Sequence, residues 1–135
     1  MRVDHVAIAV NSVSEAIKNY ENVLKIDKID IEDVPTERVK VAILRLEDTR
    51  IELMEPTADD SPIKKFLTER GEGIHHIAIT ADDIESDVER AIAGGTRMIG
   101  NIRIGSYGRK ITFIHPKSMH GVLTEFCQAP PENKD

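Results

Sequence analysis

The chain has 135 residues, a length that suits one compact domain. Its composition, 40% apolar and 31% charged, indicates a globular protein rather than a disordered one. No apolar run approaches the ~18 residues of a membrane span, and the net charge of −6 argues against a nucleic-acid-binding surface.

The first half of the chain predicts a strand, a helix and three further strands. Apolar alternation predicts a strand over 3–10, and apolar residues at helical spacing predict a helix over 12–24. A short helix begins at Ser61-Pro62 and ends at Gly71. The three extended candidates between these helices are 26–34, 39–46 and 50–55.

The same order of elements follows in the second half. A strand is predicted at 76–79, and a helix capped by Asp82 or Asp83 ends at Gly94-Gly95. Three more strands are predicted near 97–103, 110–115 and 120–127. We therefore predict an α+β fold made of two tandem βαβββ modules.

The module boundaries follow from this repeat. Module one covers about 1–70 and module two about 71–128, within one domain of residues 1–128. The residues 129–135, which contain two prolines and several charges, are predicted to be a flexible tail.

Two short segments show the repeat residue by residue. DHVAIAV (4–10) aligns with HHIAITA (75–81) at a shift of 71, which brings His5 onto His76. Ile51-Glu52-Leu53 aligns with Thr124-Glu125-Phe126 at a shift of 73, which brings Glu52 onto Glu125. A difference of two residues is small enough to come from loop length.

These four repeated polar residues suggest a metal site. Each lies in an apolar strand segment, where an unpaired charge costs several kcal/mol. Taken singly, such a histidine is more often structural, and such a glutamate more often faces solvent. Two imidazoles and two carboxylates brought together would suit a divalent ion such as Zn, Mn, Co, Ni or Fe and leave positions for substrate oxygens. The proposed ligands are His5, Glu52, His76 and Glu125.

Segments spread over nearly the whole chain resemble the methylmalonyl-CoA epimerase family of the vicinal-oxygen-chelate superfamily, which also includes glyoxalase I and extradiol dioxygenases. They are DHVAIAV (4–10), IELMEP (51–56), SPIKKFL (61–67), GEGIHHIAI (71–79) and ITFIHPKSMHGVLTEF (111–126). The resemblance implies one cupped mixed sheet around the metal. It also implies interconversion of the two epimers of methylmalonyl-CoA, through proton removal and return next to the thioester by way of an enolate.

Further expectations come with that resemblance. One divalent ion (Co, Mn, Zn or Ni) is held by His5, Glu52, His76 and Glu125, although some relatives have glutamine where Glu52 stands. The partner is a small acyl-CoA of propionate metabolism, and the protein is a homodimer. The lone Cys127 permits no internal disulfide, which favours the cytoplasm.

One departure concerns the acid/base residue. Some relatives carry a glutamate at the position of Val41, and valine cannot transfer protons. The candidates for this role are Lys40, which alternation places on the other face of its strand, and Glu125 acting both as ligand and as proton carrier. Lys110 and Lys117 are either ordinary surface lysines or contacts to the substrate carboxylate or the CoA phosphates.

The three other histidines are given lesser roles. His75 aligns with Asp4 and is predicted to face away from His76, while His115 and His120 have no counterpart in the first half. Two rival functions remain on the same scaffold. One is a glyoxalase-I-type lyase or isomerase acting on a thiol adduct, and the other is a non-catalytic protein that binds a small molecule.

Overall fold

The computed structural model describes residues 1–131 and contains eight strands and three α-helices over that range. The strands are β1 (Val3–Ala9), β2 (Ile29–Val34), β3 (Val39–Arg45), β4 (Arg50–Pro56), β5 (Gly73–Thr80), β6 (Met98–Ile104), β7 (Lys110–Ile114) and β8 (Thr124–Gln128). The helices are α1 (Val13–Leu24), α2 (Pro62–Arg70) and α3 (Ile84–Ala93). Residues 132–135 of the predicted tail lie outside the described part of the chain.

The predicted α+β class and the tandem βαβββ order are confirmed. The strands hydrogen-bond in the order β2-β3-β4-β1-β5-β8-β7-β6. Pairing is parallel between β1 and β4 and between β5 and β8, and antiparallel between β2 and β3, β3 and β4, β6 and β7, and β7 and β8. Among the described residues, none of the helices has the length and apolarity needed to cross a bilayer.

The chain divides into two compact units, one of residues 5–76 and one of residues 1–4 with 77 onward. In the first unit, both faces of the strands are covered. Strand alternation sends Ala42 and Leu44 toward α1, where they pack with Val13. The same alternation sends Val41 and Ile43 to the other face, in the cluster that contains residues of α2. Strand register places His5 and Glu52 on this second face as well.

In the second unit, α3 packs on the strands through a smaller apolar cluster. Ile84, at the first turn of α3, is fully buried and packs with Ala81, Ile114 and Phe126. Strands β1 and β5 also meet here, because the Thr80 N–H donates to the Arg2 carbonyl at 2.9 Å. Periodic apolar residues therefore build this unit as they build the first.

Two strands begin well after their predicted starts, and β5 begins earlier than predicted, at Gly73 rather than 76. β8 begins at Thr124 rather than near 120, because a 3₁₀ turn over Pro116–Met119 runs into a left-handed His120 with φ of 54°. β2 begins at Ile29 rather than 26, because Lys25 ends α1 in the left-handed conformation. Local turn chemistry, rather than hydrophobic period, sets both boundaries.

The repeat also preserves a helix-capping device. The Val13 N–H at the start of α1 donates to Glu55 Oε1 at 2.8 Å. The Ile84 N–H at the start of α3 donates to Gln128 Oε1 at 2.7 Å. Each acceptor lies near the end of the strand that pairs in parallel with the strand preceding the helix. These side chains satisfy N–H groups that a helix cannot bond internally.

We expect the Glu55→Ala substitution to lower the free energy of unfolding by about 1 kcal/mol, the usual cost of a lost N-terminal cap. Glu55→Gln retains an oxygen acceptor and should lose less, because only the charge next to the helix N-terminus is removed. Urea denaturation of the two variants measures the difference. Equal stability of Glu55→Ala and the unmodified protein would contradict the capping role.

Candidate functional site

His5 and Glu52 lie on one face of the strands in the unit of residues 5–76. Glu52 of β4 is in register with Ala7 of β1, and His5, two residues before Ala7, shares that face. The distance from His5 Nδ1 to Glu52 Oε2 is 3.3 Å, and both residues are only 3% exposed. The small side chain of Ala7 leaves this imidazole and carboxylate space to meet in the interior.

His76 of β5 completes the group in this unit. Its Nε2 lies 3.4 Å from Nε2 of His5, with an angle of 75° between the two ring planes and 5.4 Å between their centroids. Two nitrogens bound to one ion at ~2.1 Å would lie about 3–3.4 Å apart. The spacing of the two imidazoles therefore fits a shared divalent cation.

Arg50 supplies positive charge beside this carboxylate. Its Nη2 lies 3.6 Å from Glu52 Oε2, and its side chain is only 15% exposed. Burying a lone carboxylate is costly, and a neighbouring guanidinium offsets part of that cost. The same oxygen of Glu52, Oε2, thus lies near both an imidazole and a guanidinium.

Glu125 lies in the other unit, that of residues 1–4 with 77 onward. It is 4% exposed on β8, in register with Ala78 of β5 and with Phe113 of β7. Glu52 has the matching register with Ala7, so each carboxylate is paired with the alanine that follows a histidine by two residues. The repeat therefore extends from the sequence to strand register.

Sequence reasoning missed a buried ion pair in this second unit. Arg109 Nη1 donates to Asp4 Oδ2 at 2.6 Å, and both side chains are less than a tenth exposed. The same guanidinium donates to the carbonyl and the hydroxyl of Ser106, each at 3.2 Å. It thereby ties the start of β1, next to His5, to the turn before β7. No local sequence pattern predicts the pairing of Arg109 with Asp4, which are 105 residues apart in the chain.

Lys40 lies on the opposite face of the sheet from Glu52. Ile43 of β3 is in register with Glu52, so Val41 shares the Glu52 face. Lys40 alternates with Val41 and falls on the face that α1 covers. An acid/base role for Lys40 remains a prediction.

Lys110 is engaged at the surface of the second unit. Its Nζ donates to Glu85 Oε1 at 2.8 Å, between β7 and α3. This hydrogen bond is the main cause that lowers the pKa of Glu85. Substrate binding by Lys110 stays a prediction, and it would require this pair to open.

Lys117 belongs to a cationic cluster at the turn after β7. The backbone N–H of Lys117 donates to His115 Nδ1 at 3.0 Å, and the backbone N–H of His115 donates to the Arg97 carbonyl at 2.8 Å. Desolvation, then the charges of Arg97 and Lys117, lower the pKa of His115. The two exposed cations, Arg97 and Lys117, make this turn suitable for an anionic group.

His75 lies closer to His76 than sequence reasoning predicted. The two Nδ1 atoms are 2.8 Å apart, although neighbouring side chains of a strand usually point to opposite faces. The ring of His75 also contacts Phe66 of α2 edge to face, with centroids 5.1 Å apart. The histidine doublet itself was the only sequence signal for this contact.

The chain matches a family profile described as the Glyoxalase/Bleomycin resistance protein/Dioxygenase superfamily, over residues 4–113. It is 39% identical over 126 residues to the mitochondrial methylmalonyl-CoA epimerase of Dictyostelium discoideum, covering 92% of this chain and 76% of that protein. It is 37% identical over 130 residues to the ethylmalonyl-CoA/methylmalonyl-CoA epimerase of Cereibacter sphaeroides, covering 94% and 97%.

A similar solved structure is that of a variant of the Streptomyces coelicolor methylmalonyl-CoA epimerase in complex with 2-nitronate-propionyl-CoA. It superposes with a TM-score of 0.93 at 33% identity, over 97% of this chain and 99% of that chain. The likeness therefore covers both units rather than one motif.

Proposed function

The chain belongs to the methylmalonyl-CoA epimerase family of the Glyoxalase/Bleomycin resistance protein/Dioxygenase superfamily, and we propose that it interconverts (R)- and (S)-methylmalonyl-CoA with a bound divalent metal. The observation that carries this proposal is the repeated register, in which Glu52 pairs with Ala7 and Glu125 pairs with Ala78. The relatives named epimerases favour this reaction over glyoxalase-type isomerisation and over binding without turnover.

The proposed metal ligands are His5, Glu52, His76 and Glu125. The donor set fits such an ion, because the two Nε2 atoms of the histidines lie 3.4 Å apart and all four residues are buried. A bound divalent ion would supply a Lewis acid that lowers the cost of negative charge on the thioester oxygen. Two nitrogens and two carboxylates suit cobalt, manganese, zinc or nickel.

The chain's own contribution to the reaction is proton transfer. Removing the proton between the thioester and the carboxylate produces an enolate, and returning it on the other face inverts the centre. Glu125 is proposed to transfer the proton on one face of the enolate, because Val41 is apolar and Lys40 lies on the face opposite to Glu52. A second acid/base group has to act on the other face. No redox cofactor or covalent nucleophile is needed for this chemistry.

Substrate contacts are proposed at the cationic cluster of Arg97, His115 and Lys117. Lys117 and Arg97 are exposed and flank His115, which suits the phosphates of a CoA group. Lys110 is the second predicted contact and is held by Glu85. The homodimer and the cytoplasmic location are part of the proposal, the first by resemblance and the second because Cys127 is the lone cysteine.

Solvent-deuterium exchange tests the function. In heavy water, the protein is expected to incorporate deuterium at the carbon between thioester and carboxylate of (S)-methylmalonyl-CoA, with loss of optical purity. Proton NMR follows the exchange, and a chiral assay follows the epimer ratio. A parallel assay with the hemithioacetal formed from a thiol and an α-ketoaldehyde tests the glyoxalase-type alternative. Absence of exchange from a folded, metal-loaded protein would overturn the proposal.

A further inference from the structure

We propose that His75 is a positioning residue, which holds His76 in the tautomer whose Nε2 lone pair can bind a cation. This inference rests on the proposed role of His76 as a metal ligand. Strand alternation had predicted that His75 faces away from His76. The inference gives this first residue of the histidine doublet at positions 75 and 76 a role of its own.

The contact between the two rings leaves two possible proton arrangements. The Nδ1 atoms of His75 and His76 are 2.8 Å apart, a hydrogen-bond distance, so one of them carries the hydrogen and donates it to the other. If His75 donates, a neutral His76 carries its hydrogen on Nε2 and cannot bind a metal there. If His76 donates, its Nε2 presents a lone pair. Only the second arrangement is compatible with ligation.

The position of His75 is fixed from outside the strand. Its ring packs edge to face on Phe66, with an angle of 78° between the planes. The guanidinium of Arg70 lies 5.5 Å from the centroid of the same Phe66 ring. Helix α2 is itself anchored by the fully buried Ile63. The acceptor offered to His76 is therefore held by the packing of a helix.

The two proposed histidine ligands are oriented in the same way by different partners. His5 has Glu52 Oε2 3.3 Å from its Nδ1, and His76 has the imidazole of His75 at its Nδ1. Both rings direct Nε2 toward the other ring. Partners at the far nitrogen of a ligating histidine set its tautomer and ring orientation, and losing one typically costs about 10–100-fold in metal affinity.

Cobalt(II) binding tests the inference. His75→Phe keeps an aromatic ring against Phe66 but removes the acceptor, so we expect cobalt(II) affinity to fall by about 10–100-fold. We also expect a change in the visible absorption of bound cobalt. His75→Asn places an amide near the position of Nδ1 and should restore both affinity and spectrum toward those of the unmodified protein.

Two further variants keep the outcome interpretable. Phe66→Leu leaves both histidines in place and loosens the support of His75, so it should weaken cobalt(II) binding even if His75→Phe does not fold. His120→Asn changes an exposed histidine in a left-handed turn that asparagine tolerates, and should bind cobalt(II) normally.

The results separate the inference from the function on which it rests. Unchanged cobalt(II) affinity in both His75→Phe and Phe66→Leu, with normal binding by the unmodified protein, overturns the positioning role. An unmodified protein that binds no cobalt(II) overturns the proposed metal site itself. Weaker binding that His75→Asn restores supports the inference.

Discussion

Replacing Glu125 with glutamine is expected to lower kcat for deuterium exchange by about 10²–10⁴-fold, the usual contribution of a positioned proton-transfer group. Glutamine is nearly the size of glutamate and keeps an oxygen that can bind a metal, but it has no basic carboxylate. The loss should therefore appear in kcat, with metal content retained.

The internal repeat supplies the matched control. Glu52→Gln makes the same chemical change at the equivalent register position, beside an equally buried alanine. It should cost far less activity, because Glu52 is proposed to bind metal and to contact Nδ1 of His5, and an amide oxygen can serve in both contacts. Any general cost of placing a buried amide in a strand is shared by the two variants. The difference between them reports proton transfer.

Both variants need metal analysis and urea denaturation beside the kinetics. Equal losses of kcat in Glu52→Gln and Glu125→Gln, with metal and stability retained, would show that the two carboxylates act alike. Proton transfer would then have to be assigned to another group. Lys40 would be the next candidate, despite its place on the face that α1 covers.

The sequence predicted the elements that depend on a period. A strand period of two and a helix period of 3.6 are visible in a few residues, and the repeat let each half check the other. The same logic gave the shared face of His5 and Ala7 and, through the 73-residue shift, the matching positions of Glu52 and Glu125. These features depend on neighbouring residues or on the internal repeat, so they could be predicted from the sequence.

The remaining features depend on contacts that no short pattern encodes. In the sequence, Arg109 is one of several charged residues near a predicted turn. No neighbouring residue indicates that it pairs with Asp4. The left-handed conformation of His120 moves the start of β8 toward the C-terminus, and a histidine in the sequence is not a strong predictor of that conformation. The contact of His75 with His76 was missed because ideal alternation sends neighbouring side chains of a strand to opposite faces, whereas the two Nδ1 atoms are 2.8 Å apart. Contacts between residues distant in sequence, and the conformations of single residues, are visible only in the three-dimensional structure.

Removing the metal should lower kcat/KM for deuterium exchange by about 10³-fold or more. Stabilising the developing enolate charge with a cation is worth several kcal/mol, and each 1.36 kcal/mol corresponds to a factor of ten in rate. The protein is stripped with a chelator, freed of the chelator by gel filtration, and assayed in heavy water before and after cobalt(II) is added back. Cobalt(II) should restore the rate in proportion to the amount bound.

Magnesium provides the discriminating control in this experiment. It prefers oxygen ligands and gives up its water reluctantly, so a set that includes the imidazoles of His5 and His76 should hold it poorly. Their nitrogens, 3.4 Å apart, favour an ion that accepts nitrogen donors. Restoration by cobalt(II) but not by magnesium would support that donor set. An undiminished exchange rate in the stripped protein would instead mean that the buried imidazoles and carboxylates serve the fold, and that enolate charge is stabilised elsewhere.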